Sequence, residues 1–311
     1  MNSYPYYIAG SFHQSGEKTG IRDPYSGRLV GETWKVTADV FEEAVVAATM
    51  ARDDVASMPS YQRSAVLNDI ADGIEDDHEG FSTILAAEAG KPLFYARGEV
   101  SRAVQTFRIA AEECKRLPKE YISLDWTPSG QRKEGLVRYF PVGPVAGIVP
   151  FNFPLNLAVH KIAPAIAAGC PIIIKPSSST PLSCLKLATV IDRTDLPKGA
   201  FAVLPMDRDA GNLMVTHPDI RLLTFTGSPE VGWKMKAEAG KKRVILELGG
   251  NAGVVVTPTA DLHKAVPKIV AGGFAYSGQV CIHTQRIYVH QQIFDEFSKV
   301  FVKGVEGLVS G

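Results

Sequence analysis

The chain has 311 residues, and its 33 Lys and Arg balance its 33 Asp and Glu, so its formal net charge is zero. This length accommodates two domains with their own cores or one large α/β unit. The balanced charge advertises no basic face, which argues against nucleic acid or an anionic membrane as partner and for small molecules and other subunits. The four cysteines, Cys114, Cys170, Cys184 and Cys281, form no Cys-x-x-Cys pair and are too few for a disulfide framework, so reduced thiols and no metal site are expected.

In chain order, Met1-Asn2-Ser3-Tyr4-Pro5 lacks the charged and apolar regions of a secretion signal, and no later apolar run is long enough to span a bilayer. The expected compartment is the cytoplasm. Asp39 and Glu42 have the spacing of a capping box, and Phe41, Val45, Ala48 and Val55 then recur at helical intervals, predicting a first helix of about four turns. Further helices are expected around Gln62 to Glu75 and Gly98 to Arg116, which makes the opening helical ahead of any strand-rich region. Tyr121 to Phe140 alternates like exposed strands. From Val145 the pattern changes to short apolar runs: Val145 to Val149, Ile172 to Lys175, Phe201 to Leu204, Leu222 to Phe225 and Val244 to Leu246. Helices near Leu157 to Ala168, Leu182 to Ile191 and Glu230 to Ala239 separate most of them. Apolar strands joined by helices predict an α/β fold with an open, doubly wound parallel sheet. After Gly249-Gly250 a new alternation begins, with a strand at Val254 to Val256, a helix at Leu262 to Phe274, a strand at Arg286 to Val289 and a helix at Phe294 to Val305. A domain change is placed at about Gly250.

Two late segments carry groups suited to carbonyl chemistry. Cys281 closes Gly278-Gln279-Val280-Cys281, and Glu247 opens Glu247-Leu248-Gly249-Gly250. A thiolate attacks carbonyls well, and a carboxylate can activate the water that clears a covalent acyl intermediate. In Pro150-Phe151-Asn152-Phe153-Pro154, the Asn152 amide is a candidate donor to the oxyanion formed on addition. Each residue alone also has a plainer reading: a packed thiol for Cys281, a solvated carboxylate or partner of Lys241, Lys242 or Arg243 for Glu247, and a turn Asn for Asn152. The loop Ser277-Gly278-Gln279 separates Cys281 from the other cysteines, since Cys114 and Cys184 fall in helices and Cys170 follows the helix-ending Gly169. Lys175 projects from the carboxyl end of an Ile-rich strand, where open α/β sheets bind ligands. Phe225-Thr226-Gly227-Ser228-Pro229-Glu230-Val231-Gly232 leaves a strand and opens a helix, which suits a pyrophosphate. An ordinary helix start capped by Thr226 or Ser228 would read the same way.

Taken together, these segments resemble the aldehyde dehydrogenase superfamily along essentially the whole chain. The resemblance implies a Rossmann-like cofactor domain, here without Gly-x-Gly-x-x-Gly, and oxidation of an aldehyde to a carboxylic acid. Hydride would pass to NAD or NADP through a Cys281 thiohemiacetal and thioester. It implies Cys281 as nucleophile, Glu247 as general base, Asn152 with the Cys281 N–H as oxyanion hole, and Lys161 in a proton relay, where a helix-surface lysine is the plainer reading. Val149, Pro150, Phe151, Lys175, Ser177, Ser178, Phe225, Thr226, Gly227, Ser228, Val231, Leu248 and Gly249 would bind the cofactor. Phe153, Leu157, His160, Val280 and Ile282 would wall the substrate tunnel.

Three departures from the family pattern matter. Phe151 stands where Trp is usual, with packing consequences expected. Ser178 stands where NAD-preferring members often carry Glu, which removes repulsion of a 2′-phosphate and leaves Lys175 and the serine hydroxyls to accept it, so NADP use, alone or beside NAD, is expected. His160 stands where relatives hold Trp or a cation, which leaves room for a small polar or anionic aldehyde. Acylating members that pass the product to coenzyme A typically lack the Glu247 carboxylate, so its presence argues for the hydrolytic type. The resemblance stops short of a Glu-x-Phe-Gly-Pro motif and a C-terminal strand, so a truncated enzyme is expected. In this layout residues 1–120 and 141–249 form the dinucleotide-binding domain, 121–140 an oligomerisation β arm, and 250–311 part of the catalytic domain. The intact enzyme would be a homodimer or homotetramer. A non-catalytic dinucleotide-binding fragment and a coenzyme A-acylating enzyme are the alternatives.

Overall fold

The computed structural model describes residues 2–309. Its opening corrects the expected helical start: strands β1 (Tyr6–Ile8), β2 (Ser11–His13), β3 (Glu17–Arg22) and β4 (Leu29–Lys35) precede any helix. β1 and β2 form a hairpin whose turn residues Ala9 and Gly10 are both left-handed, at φ 51° and 80°, the twist that a two-residue hairpin loop demands. Four helices follow: α1 (Ala38–Ser57), α2 (Ser60–Asp76), α3 (His78–Ala89) and α4 (Leu93–Glu113). α1 begins at Thr37 without a side-chain cap, so the capping box does not form. The Glu42 carboxylate instead lies 3.0 Å from Nε2 of His217. α1 buries Phe41, Val45, Ala48 and Val55, as the periodicity predicts. β5 (Lys119–Ser123) and β6 (Glu134–Arg138) form a mostly exposed antiparallel pair, consistent with the alternation read there.

The alternating region holds β7 (Val145–Ile148), α5 (Pro154–Ala167), β8 (Ile172–Lys175), α6 (Leu182–Ile191), β9 (Phe201–Val203), α7 (Arg208–Thr216), β10 (Leu222–Gly227), α8 (Pro229–Glu238) and β11 (Arg243–Leu248). One seven-stranded sheet runs in the order β11-β10-β7-β8-β9-β1-β2. β10, β7, β8 and β9 are parallel, as the sequence predicts for the alternating region, and β1 from the opening segment extends the sheet antiparallel to β9. α5 and α6 cover one face and α1 and α7 pack together elsewhere on the sheet, with α2, α3 and α4 forming a further layer against α5 and α6. The chain leaves β7 to build β8 and β9 on one side, then returns to place β10 on the other. β7 and β10 therefore flank the topological switch point, where ligands bind in open α/β sheets.

The chain divides into two compact units, one comprising residues up to Thr226 with Trp233–Leu246, the other Gly227–Gly232 with Glu247 onward. In the second unit β12 (Ala252–Val256) pairs in parallel with β13 (Thr284–Val289), and α9 (Leu262–Phe274) and α10 (Phe294–Glu306) supply a small core of Val256, Leu262, Val266, Ile269, Val270 and Phe297. Asp261 caps α9 by accepting from the N–H groups of His263 and Lys264. Among the described residues, no helix is long and apolar enough to cross a membrane.

Candidate active site

The sheet register aligns three of the predicted binding segments. Phe225 pairs with Ile148, and Ile148 with Lys175, so the ends of β10, β7 and β8 lie side by side. Val149 to Phe151, Lys175 to Ser178, and Phe225 to Thr226 therefore share one carboxyl edge. The Val149 and Phe225 side chains belong to the core, whereas Phe151 is exposed. Lys175 runs along α7, where a Cβ on Gly211 would lie 2.7 Å from its Cε, so any larger residue there would displace the end of the lysine. Burial lowers the Lys175 pKa; neighbouring Asp207 opposes that shift and Arg208 adds to it. A basic group beside the hydroxyls of Ser177, Ser178 and Ser179, at the edge where the fold binds ligands, is a donor set that fits a ribose and its phosphates.

Lys161 is a buried lysine, not a surface one. Its Nζ donates to Oγ1 of Thr224 at 3.1 Å and of Thr226 at 2.8 Å. To get there its stem crosses β7 over Gly147, where a Cβ would lie 3.2 Å from its Cδ. The lysine thus fastens α5 to β10 across the switch point.

Asn152 is half-buried in the loop between β7 and α5. The helices after this loop and after β8 begin at Phe153 and Pro181, neither of which supplies a side-chain cap. Buried carboxylates from the helical layer do so instead. Glu99 of α4 accepts through Oε1 from the N–H of Leu155 at 3.1 Å and of Asn156 at 3.0 Å. Glu88 of α3 accepts from Leu182 at 2.7 Å and Ser183 at 3.0 Å. Both satisfy orphan donors at the positive end of a helix. The other Glu99 oxygen pairs with Lys91, and the Lys91 ammonium lies 3.9 Å from the centroid of the Phe153 ring. Burial pushes the Glu88 carboxyl up to about 7, although the helix N–H groups pull the other way. Burial likewise raises Glu99 and lowers Lys91, each opposed by its partner's charge. The Cys184 thiol, pushed well up by burial and then by Glu88 and Glu99, donates to the Pro154 carbonyl and is a packing group. Sequence reasoning missed Lys91, Glu88 and Glu99, yet Glu99 falls in register with Ala96, Val100 and Ala103 on the apolar face of α4, a signal that was present.

Cys281 is the one exposed cysteine among the described residues. The turn before it contains three consecutive left-handed residues, Tyr276 (φ 50°), Ser277 (φ 54°) and Gly278 (φ 73°). For two non-glycine residues this costs about 1–3 kcal/mol each, strain of a kind that collects at functional sites. The buried Tyr276 anchors the turn, and its carbonyl accepts from the Gln279 N–H at 3.0 Å. A Cβ on Gly250 would lie 3.1 Å from the Cys281 carbonyl, so the thiol's turn rests against the glycine pair that follows Glu247. Glu247 is itself exposed near the carboxyl end of β11, followed by half-buried Leu248 and exposed Gly249. Within the second unit the structure thus brings the Glu247 and Cys281 segments together, with half-buried Val280 and exposed Ile282 flanking the thiol. Gly227 at the end of β10, and Ser228 and Val231 at the start of α8, belong to this unit too. In the first unit, Phe153, half-buried Leu157 and exposed His160 follow one another along the start of α5, and His160 Nε2 lies 3.5 Å from Oγ1 of Thr106.

The family model described as "Aldehyde dehydrogenase family" matches residues 12–311. The chain belongs to the aldehyde dehydrogenase family. It is 38% identical to the 3-sulfolactaldehyde dehydrogenase of Priestia aryabhattai, with 100% of this chain and 65% of that protein covered. It superposes on aldehyde dehydrogenase 21 of Physcomitrella patens, solved with the reaction product succinate, at a TM-score of 0.96 and 40% identity over 99% of this chain and 64% of that one. The NADP-dependent glyceraldehyde-3-phosphate dehydrogenase of Bacillus halodurans, solved with NADP, matches at a TM-score of 0.96 and 32% identity, covering 100% and 66%. The chain therefore spans about two thirds of the length of these relatives.

Proposed function

We propose that the chain carries the cofactor edge and the nucleophile of an enzyme that oxidises an aldehyde to a carboxylic acid. The observation that carries this reading is the strained turn presenting an exposed Cys281 against the glycines that follow Glu247. The Cys281 thiolate adds to the carbonyl carbon and forms a thiohemiacetal, while the Asn152 amide and a backbone N–H hold the new oxyanion. Loss of hydride leaves a thioester. Glu247 then takes a proton from the water that attacks it, releasing the acid and restoring the thiolate. Lys175, Ser177 and Ser178 would hold the adenosine ribose of NAD or NADP, whose nicotinamide supplies the hydride acceptor. With Ser178 in place of a carboxylate, nothing at that position repels a 2′-phosphate, which favours NADP.

The substrate class proposed is an anionic aldehyde. His160 offers an exposed imidazole on the α5 surface, and the relatives named above are associated with a sulfonate, a dicarboxylate product and a phosphate. Cys281→Ala is expected to abolish aldehyde-dependent reduction of NADP while leaving dinucleotide binding intact, and retained turnover would refute the reading. Glu247→Gln should give one burst of reduced cofactor and then stall, whereas coenzyme A-dependent turnover by the unaltered chain would favour the acylating reaction.

A further inference from the structure

We propose that Lys91 and Glu99 are positioning residues that hold the Asn152 amide in its working geometry by gripping the loop on its far side. This rests on the reading of Asn152 as the oxyanion donor. Both side chains are 0% exposed. Glu99 fixes the two N–H groups of Leu155 and Asn156, and Lys91, paired to the same carboxylate, sits over the ring of Phe153, the residue next to Asn152. Lys91 is itself fixed, since the left-handed Gly90 ends α3 and the Lys91 N–H donates to the Ala86 carbonyl at 3.2 Å. Two further contacts reach the same segment: Thr180 Oγ1 to the Phe151 carbonyl at 3.4 Å and Cys184 to that of Pro154 at 3.2 Å. Every residue around Asn152 from Phe151 to Asn156 is thereby contacted by a side chain from outside the loop and α5.

Stability alone does not call for this arrangement. A buried ion pair is often no more stable than apolar side chains of the same volume, and an ordinary Ser or Asn at the position of Phe153 would cap α5 locally. A charged pair reaching in from α4 and the α3–α4 connection instead ties the loop directionally to the rigid helical layer. Oxyanion donors need that, because an error of about 1 Å in placement costs about a hundredfold in rate.

The test is Glu99→Gln and Lys91→Met, each in the native chain and in an Asn152→Ala background. Readouts are kcat and KM for the aldehyde, dinucleotide affinity by fluorescence, and the side-chain amide resonances of Asn152 in labelled protein. Each variant is expected to lower kcat about 10- to 100-fold with KM and dinucleotide affinity within about twofold, to shift the Asn152 amide signals, and to cost less than about twofold further once Asn152 is Ala. Native kcat in both variants, equal losses in both backgrounds, a parallel loss of dinucleotide affinity, or failure of both variants to fold would leave the pair a structural role only and overturn the proposal. If Asn152→Ala alone keeps native kcat, the reading of Asn152 falls first and this one with it. The resonance readout does not need turnover, so unshifted Asn152 signals overturn the proposal by themselves.

Discussion

Glu88 shows how much a single carboxyl can say about conditions. Its pKa, ordinarily 4.5, is pushed by burial to about 7, with the Glu99 charge adding to the shift and the Leu182 and Ser183 N–H groups opposing it. Between those values the native state keeps a proton that the unfolded chain releases. The group's stabilisation is therefore complete below pH 4.5 and is lost as pH rises through 7, an effect of about 3 kcal/mol. Glu88→Gln is expected to flatten the fall in urea midpoint across that window, at an absolute cost of about 1–3 kcal/mol for the lost acceptor. An unchanged slope would place the titrating proton elsewhere, with Glu99 and Lys91 the neighbouring groups to examine. Glu88, unlike Glu99 on the apolar face of α4, is illegible in the sequence for a physical reason. Charged side chains are taken for surface groups by default, and nothing within Glu88-Ala89-Gly90-Lys91 says that three helices close over it. The loop setting of Cys281 is legible because its neighbours Ser277 and Gly278 mark a turn, although the left-handed conformation of Tyr276 and Ser277 is not written in their identities.

At the scale of elements, β7 and β8 were readable because their apolar runs are bounded by Pro and Gly and are buried throughout or nearly so. β2 is exposed along its whole length and β3 along most of it, so neither shows the apolar signature of a core strand. Pairing, not hydrophobicity, makes them strands. α7 went unread although Asp207 caps it by accepting from the Ala210 N–H at 2.8 Å, a start signal that a single aspartate carries too weakly to stand out. The contact between β7 and α5 depends on Gly147, where a Cβ would lie 2.6 Å from Ile174 Cδ1 as well as close to the Lys161 stem. Gly147→Ala is expected to cost about 1–3 kcal/mol in denaturant unfolding by overpacking this crossing. It should also weaken dinucleotide binding, because the Lys161 tether to Thr224 and Thr226 must shift. Native stability and affinity in that variant would show that the crossing yields without strain.

For the molecule as a whole, the two compact units differ in how completely their strands are covered. The first has helices stacked over a seven-stranded sheet, whereas the parallel β12–β13 pair leaves Val255 and Tyr288, direct neighbours in register, 73% and 53% exposed. Parallel strands are normally covered on both faces, so the second unit rests on one small core. Amide hydrogen exchange is expected to be faster in β12 and β13 than in β7 and β8 by a factor of about a hundred or more, and equal protection would mean that the units open together.

The capping of α5 and α6 from a distance also carries a consequence for biogenesis. Residues 78–113, which hold both capping carboxylates, leave the ribosome before the helices they terminate. Both acceptors are therefore already part of the nascent chain when each helix that needs them is made.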